Sequence, residues 1–421
     1  MRTRKYQFTA CLIGALALVG AACAPEEEEA GEFTPGPLGA ITVETGAPIK
    51  IGLIQAISGD TASLGTDQVR AVQIAIDDKG GNLLGHPIRN QVEDDLCKAE
   101  GGTTAAQKLA ADPQIVAVIG TSCSGAAVPA MEILSAKGVL MISGSNTSPT
   151  LTSDLRGTKG AANQKGYLRT AHNDIIQGQA AATFAFQRLG AKRAATIHDG
   201  DPYTEGLANA FGSSFKELGG TISLATAISK GDTDMRPVLT EVAASTPDVV
   251  FFPIFQPEAD FIVRQAKGFP LLADTKKLFG ADGLLSDTFI VISQTEGMHF
   301  SGPATPTGPA YEEFVGKYET KFGEKPIQAF HAHSYDAVNM IFAAIEKVAV
   351  EEDGTVHIDR QKLIDELHAT KDYQGLTGTL SCDEFGDCAD PKIDIVQNTA
   401  GQRTIDQVRG NVLFTFEPPE R

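Results

Sequence analysis

From residue 48 onward the apolar and polar positions fall into a repeating rhythm. "PIKIGLI" (48–54) is an almost unbroken apolar run of strand length, and "QVRAVQIAIDDKGG" (68–81) spaces its apolar residues at helical intervals before stopping at two glycines. Strand "HPIRNQVEDD" (86–95), helix "TTAAQKLAAD" (103–112), strand "QIVAVIG" (114–120), helix "AAVPAMEILSAKG" (126–138) and strand "VLMIS" (139–143) follow. The order restarts at "AKRAATIHD" (191–199). It continues through helix "YTEGLANAFGSSFKELGG" (203–220), strand "TISLATAIS" (221–229), helix "MRPVLTEVAAS" (235–245), strand "PDVVFFPIF" (247–255), helix "EADFIVRQAKGF" (258–269) and strand "KLFGADG" (277–283). Short apolar strands alternating with amphipathic helices predict parallel βαβ units and an α/β fold in two lobes. The helix "SYDAVNMIFAAIEKVAV" (334–350) comes after both runs and must rejoin one of them.

In open parallel sheets ligands bind beyond the carboxyl ends of the strands, so candidate chemistry is sought there. The first such end reads "VIGTSCSGAAVP" (118–129). A serine-hydrolase elbow needs G-x-S-x-G, and around Ser122 the closing glycine is replaced by Ser124. Pro129 is tolerated only in or near a first turn, so a helix must begin close to 124–127. Its open N–H groups and positive dipole end suit an anion, and the Ser124 hydroxyl adds a hydrogen bond. "MISGSNTSPTL" (141–151) ends the next strand with small hydroxyl residues. "HDGDPYTEGLA" (198–208) sets Tyr203 at the mouth of the second lobe, and "FGADG" (279–283) ends a strand at Asp282. That aspartate suits a turn, and opposite an anion site it also suits an ammonium group. His331 and His333 form an H-x-H pair without a third ligand at useful spacing, so no metal is expected. With neither a Walker loop nor a GxGxxG, no cofactor is expected either.

Charge narrows the partners. A formal charge of -18 opposes binding to nucleic acid or anionic lipid, which depends on Lys and Arg. The first residues are a targeting segment: Arg2, Arg4 and Lys5 precede an apolar stretch (6–22) too short for a confident membrane span. It ends "LVGAAC", a resemblance to a bacterial lipobox with Gly20 where leucine is usual. The expectation is a signal peptide over 1–22 and a lipid on Cys23. Loss of the three cationic residues takes the charge to about -21. Residues 23–47 are acidic and rich in Pro and Gly, and read as a disordered tether. Cys97, Cys123, Cys382 and Cys388 then remain, an even number that favours disulfides in an exported chain. Three pairings are possible. Cys382 and Cys388 bracket the turn "DEFGD", and Cys97 and Cys123 each end a strand, so 97–123 and 382–388 are expected. A four-cysteine zinc site would need CxxC knuckles, which are absent.

Taken together, "IKIGLIQAISGDTASLG", "AIDDKGGNLLG", "VEDDLC", "AAQKLAADPQIVAVIGTSCSGAA", "LMISGSNTSPTLT", "PEADFIVRQA", "FGADGL", "HSYDAVNMIFAAIEK" and "LTGTLSCDEFGD" resemble the leucine/isoleucine/valine-binding protein family. The resemblance runs from about residue 48 to the C-terminus. It implies the periplasmic binding protein type I fold: one lobe from 48–169 and 304–378, the other from 170–303 and 379–421, with hinge crossings near 169–171, 300–305 and 377–381. It implies that Ser124 and Thr147 hold an amino acid carboxylate and that the Ser145 carbonyl accepts from the ammonium. Tyr203 and Phe255 would close over the ligand, Asp282 would pair with the ammonium, and Leu64 would contact the side chain. Leu64 replaces a common aromatic, Phe255 lacks a hydroxyl and Asp282 is shorter than glutamate, so pocket shape differs from the family pattern. The implied function is a lipid-anchored, extracytoplasmic, monomeric subunit, in the periplasm or at the cell surface, that feeds an amino acid to an ABC permease, and not an enzyme. A sensory subunit of the same fold, or a binder of an amide, urea-like or aromatic acid solute, is the alternative.

Overall fold

Ile49–Gln55 is the hub of the first sheet. Ile49, Ile51, Leu53 and Ile54 are fully buried, as befits a parallel strand covered on both faces. It pairs in parallel with His86–Asp94 on one side and Ile115–Gly120 on the other. Leu140–Ser143 and Tyr167–Arg169 extend the sheet, and the short Asn82–Leu83 closes the far edge antiparallel, giving six strands. The helices Ala62–Asp78, Ala99–Ala110 and Ser124–Ser135 are the crossovers. The late helix His331–Val348 rejoins this half: Ala337, Val338, Ile341, Phe342 and Ile345 share a core with Ile49, Ile51 and Leu53.

The second sheet has seven strands. Arg193–His198, Thr221–Ala227, Val249–Phe251, Leu278–Ala281 and His299–Pro303 are parallel, and Ile393–Gln397 and Val412–Phe416 add an antiparallel edge. One helix of this half, Asp174–Gln187, lies outside the predicted pattern. Its alanines are buried on several faces, which blurs the apolar stripe a helix normally shows. It packs closely on Pro202–Glu217 at Gly178, where a Cβ would come within 2.6 Å of Ala210 Cβ and Phe211 N.

This computed structural model describes residues 33–418, so the expected signal peptide and the lipidation at Cys23 lie outside the described residues. Among the described residues, those from Pro35 on form one unit. Among the described residues no helix is long and apolar enough to cross a membrane.

Three expectations need correction. The tether does not reach residue 47: Ala40–Val43 is a strand paired antiparallel with Thr355–Asp359, and Ile41 and Val43 are buried in the first core. An acidic, Pro- and Gly-rich composition over the whole stretch hid the local alternation of that strand. The third crossing is not at 377–381. Leu380, Cys382 and Cys388 belong to the first core, and the segment is bonded to Arg169 through Arg169 N to Gly386 O and Cys388 N to Arg169 O. The chain passes to the second sheet at 389–392, because the buried disulfide turn needs apolar neighbours that the first half supplies. The second crossing falls at 304–308, after the strand His299–Pro303 has run its full length, and the first lies at 170–173. The cysteines pair as expected, 97 with 123 and 382 with 388.

Candidate functional site

The site is assembled at the carboxyl ends of both sheets. After Ile115–Gly120 the chain turns through Cys123, the N-cap, into the helix Ser124–Ser135. Asp95 clasps the two disulfide-linked ends, accepting from Cys97 N at 2.7 Å and Ser122 N at 2.8 Å. Burial raises its carboxyl to about 6, and these bonds pull the other way. Ser122 Oγ is fully employed: it donates to Gln55 Oε1 at 2.6 Å and accepts from Ala56 N and Gln68 Nε2. Its proton goes to an amide oxygen, and the Cys123 sulfur is held in a disulfide.

The loop after Leu140–Ser143 is stitched to this helix start. Ser145 donates to Ser122 O at 2.8 Å, and Ser148 N donates to Ser124 Oγ at 3.3 Å. Thr147 is buried between them, and its Oγ1 has no hydrogen-bond partner among the described residues.

Facing these groups is a cluster from the second half. Asp282 Oδ1 accepts from Gln177 Nε2 at 2.5 Å and from Tyr203 Oη at 3.1 Å. Burial raises its carboxyl to about 6 against the pull of those two bonds. Gln177 spends its amide hydrogens on Asp282 and Ser301, so its Oε1 accepts from His172 Nε2 at 2.5 Å. This keeps the His172 hydrogen on Nε2, and burial lowers that ring to about 4. The Tyr203 ring lies 5.1 Å from Phe255, and Leu64 joins both in an apolar cluster that spans the two halves. Gly283 is required at this contact, because a Cβ there would fall 2.7 Å from the Phe255 ring.

Asp174 was not among the sequence candidates. It is completely buried, and neither carboxylate oxygen has a hydrogen-bond partner within bonding geometry. Burial, then the Asp282 charge, pushes its carboxyl well above the ordinary carboxylate range, with the nearby Thr147 hydroxyl opposing. The signal for it was present in "HNDIIQG". Asn173 caps the helix, accepting from Ile175 N at 3.0 Å, and places Asp174 and Gln177 three residues apart on one face. A search confined to strand ends passes over a helix start.

Of the sequence candidates, Ser124, Ser145 and Thr147 stand at or beside the helix start, Leu64 packs with Tyr203 and Phe255, and Asp282 is bonded to Tyr203; Asp174, Gln177 and His172 join them in the structure. The halves touch across the cleft between them: Ser148 Oγ donates to Pro202 O at 2.8 Å, and Gly125 abuts the Asp201 carboxylate with no room for a Cβ. Asp201 caps the helix Pro202–Glu217 and pairs with Lys230 at 2.7 Å. At the rim a cavity of about 470 Å³ is lined by Gly59, Lys98, Asp199, Lys230, Phe255 and Glu258. The first half supplies the helix start with Ser124 and Thr147, and the second supplies Asp174, Tyr203 and Asp282. The Asp174 carboxyl lies beside the Thr147 hydroxyl, and the Asp201 carboxylate lies against the helix start at Gly125. His331 is occupied elsewhere, by Asp67 and Tyr311.

A family model described as periplasmic binding protein matches residues 48–390. The Leu/Ile/Val-binding protein BraC3 of Rhizobium johnstonii is 30% identical over 361 residues, covering 85% of this chain and 93% of that protein. A leucine-binding protein, LivK, from Thermotoga maritima superposes with a TM-score of 0.75 at 26% identity, covering 88% of this chain and 99% of that one. A solute-binding protein of an ABC transporter from R. palustris, solved with benzoate, shares the fold with a TM-score of 0.71 at 20% identity, over 88% of this chain and 97% of its own. With its α/β fold of type I and these relatives, the chain belongs to the periplasmic binding protein family.

Proposed function

We propose that the protein is the extracytoplasmic solute-binding subunit of an ABC importer, held to the membrane by a lipid on Cys23, and that it captures an amino acid with a branched or similar side chain. The carboxylate docks on the helix start with Ser124 and Thr147. The ammonium enters between Asp282 and Asp174, and the side chain lies against Leu64, Tyr203 and Phe255. Closure of the halves about the three crossings excludes water, strengthens both charge contacts and presents the closed form to the permease. The observation that carries the reading is Asp174: a fully buried carboxyl with no well-formed hydrogen bond on either oxygen, the Thr147 hydroxyl alongside it and a second buried acid next to it. Such a pair calls for a cation, which an amino acid brings. The Leu/Ile/Val-binding relative supports the same class.

The Tyr203–Phe255 ring pair favours a second reading, an aromatic acid such as the benzoate held by the R. palustris protein. Thermal shift separates the two, because a bound solute raises apparent stability by mass action. L-Leucine, L-isoleucine or L-valine should raise Tm by several degrees and benzoate should leave it unmoved. A shift with benzoate alone would replace the amino acid by the aromatic acid.

A further inference from the structure

Arg169 is fully buried at the end of the strand Tyr167–Arg169, far from any solvent that would accommodate its charge. Its guanidinium donates to four acceptors. Nη1 donates to the carbonyls of Asn146 at 3.2 Å and Ser148 at 2.8 Å, and Nη2 donates to Thr152 Oγ1 at 2.6 Å. The two carbonyls flank Thr147 in the chain. Nε donates to Asp387 Oδ1 at 2.5 Å. Asp387 is itself buried, and its Oδ2 accepts from Ser153 Oγ at 3.4 Å and Asn173 Nδ2 at 3.3 Å. Asn173 is the cap that starts the helix bearing Asp174.

Asp387 stands one residue before Cys388, inside the turn that the Cys382–Cys388 disulfide closes. The turn is clamped on Arg169 by two backbone bonds, and Asn163 Nδ2 bridges Leu151 O at 2.9 Å and Phe385 O at 2.8 Å. Gly386 (φ +93°) leaves no room for a Cβ beside the Tyr167 carbonyl, so the turn lies flat on the strand. One carboxylate thus fixes the loop around Thr147 through Arg169 and the helix start at Asp174 through Asn173. It reaches both sides of the first crossing.

We propose that Asp387 is a positioning residue for the cleft: carried on the disulfide-closed turn and acting through Arg169 and Asn173, it sets the geometry of Thr147 and Asp174 without touching a ligand. The inference rests on the reading of Thr147 and Asp174 as solute contacts. The buried Arg169 charge needs a counter-charge, and a guanidinium fork transmits that anchor to two carbonyls at fixed angles. The loop's other ties, such as Ser145 Oγ to Ser122 O, Asn146 Nδ2 to Thr121 O and Ser148 N to Ser124 Oγ, are neutral hydrogen bonds, and Arg169 adds the charged one.

The test uses the mature chain, titrated calorimetrically with L-leucine and followed by hydrogen–deuterium exchange without ligand. Asp387→Asn should weaken leucine binding at least 10-fold and speed exchange over 145–153, while 202–217 exchanges as in the wild type. If that variant does not fold, since breaking a buried ion pair is costly, Cys382→Ser with Cys388→Ser decides. It keeps Arg169 and Asp387 and should give a smaller loss and the same local exchange pattern. If both variants fold, their combination should lose no more than Asp387→Asn alone. Unchanged exchange over 145–153, exchange that rises equally in both halves, or additive losses would overturn the proposal. Wild-type protein that fails to bind leucine would instead sink the amino acid reading, and the exchange comparison would still decide the role of Asp387.

Discussion

Burying Asp282 beside a second acid destabilises the ligand-free protein, and the sign of that effect makes it measurable. The Asp282 carboxyl lies at about 6 in the folded chain against an ordinary 3.8. A raised acid costs stability above its folded value, and the cost fades as pH falls through 6 toward 3.8. Asp282→Asn should therefore raise the ligand-free Tm at pH 7.5, with the difference from wild type closing by about pH 4.5. The same change should weaken leucine binding more than about 10-fold at pH 7.5, from loss of a charge-assisted contact. Wild-type affinity should itself decline as pH drops through about 6, because the amino acid keeps its ammonium while the carboxylate is protonated. A variant that binds leucine as tightly as wild type would remove Asp282 from the ammonium site.

Among the elements, the strand Ala40–Val43 was the least visible in the sequence and has a clear energetic signature. Ile41 is 1% exposed and packs with Ile358 on the first core. Ile41→Ala should cost about 2–4 kcal/mol in chemical denaturation. A loss below about 0.5 kcal/mol, the range of surface substitutions, would mean the strand is not part of the folded core in solution. The parallel strands and their crossover helices were legible because burial on one stripe or both faces writes directly into residue order. Ser124, Tyr203 and Asp282 were legible because strand ends are where such folds place ligands. Gln177 and Arg169 were not, because Asp282, Ser301 and Asp387, which fix their roles, lie far along the chain. Asp174 showed only as part of a capped helix start, and a buried aspartate looks like an exposed one until its surroundings are known. The third crossing was misplaced for the same reason: nothing local to Cys382 and Cys388 says which half buries them.

For the whole molecule, the direct contacts between halves describe a closed cleft. Ser148 meets Pro202, Gly125 meets Asp201, and Leu64 packs with Tyr203 and Phe255. Without ligand, the buried acids and the unpartnered Thr147 hydroxyl oppose that closure. Small-angle X-ray scattering should therefore give a smaller radius of gyration with leucine than without it. Equal values would rule out closing as the response to ligand.

The path of the chain through the two sheets has a consequence in time. The strand Ile49–Gln55 is made early, but its core is completed by the helix His331–Val348 and by Cys382 and Cys388. At about 5–20 residues per second, a ribosome delivers that helix roughly 15–60 s after the strand it covers. The half begun first is thus finished late, and its hydrophobic face must wait uncovered for most of synthesis. A chain that cannot close its first core until nearly all of it has been made is one that an export machine can still receive unfolded.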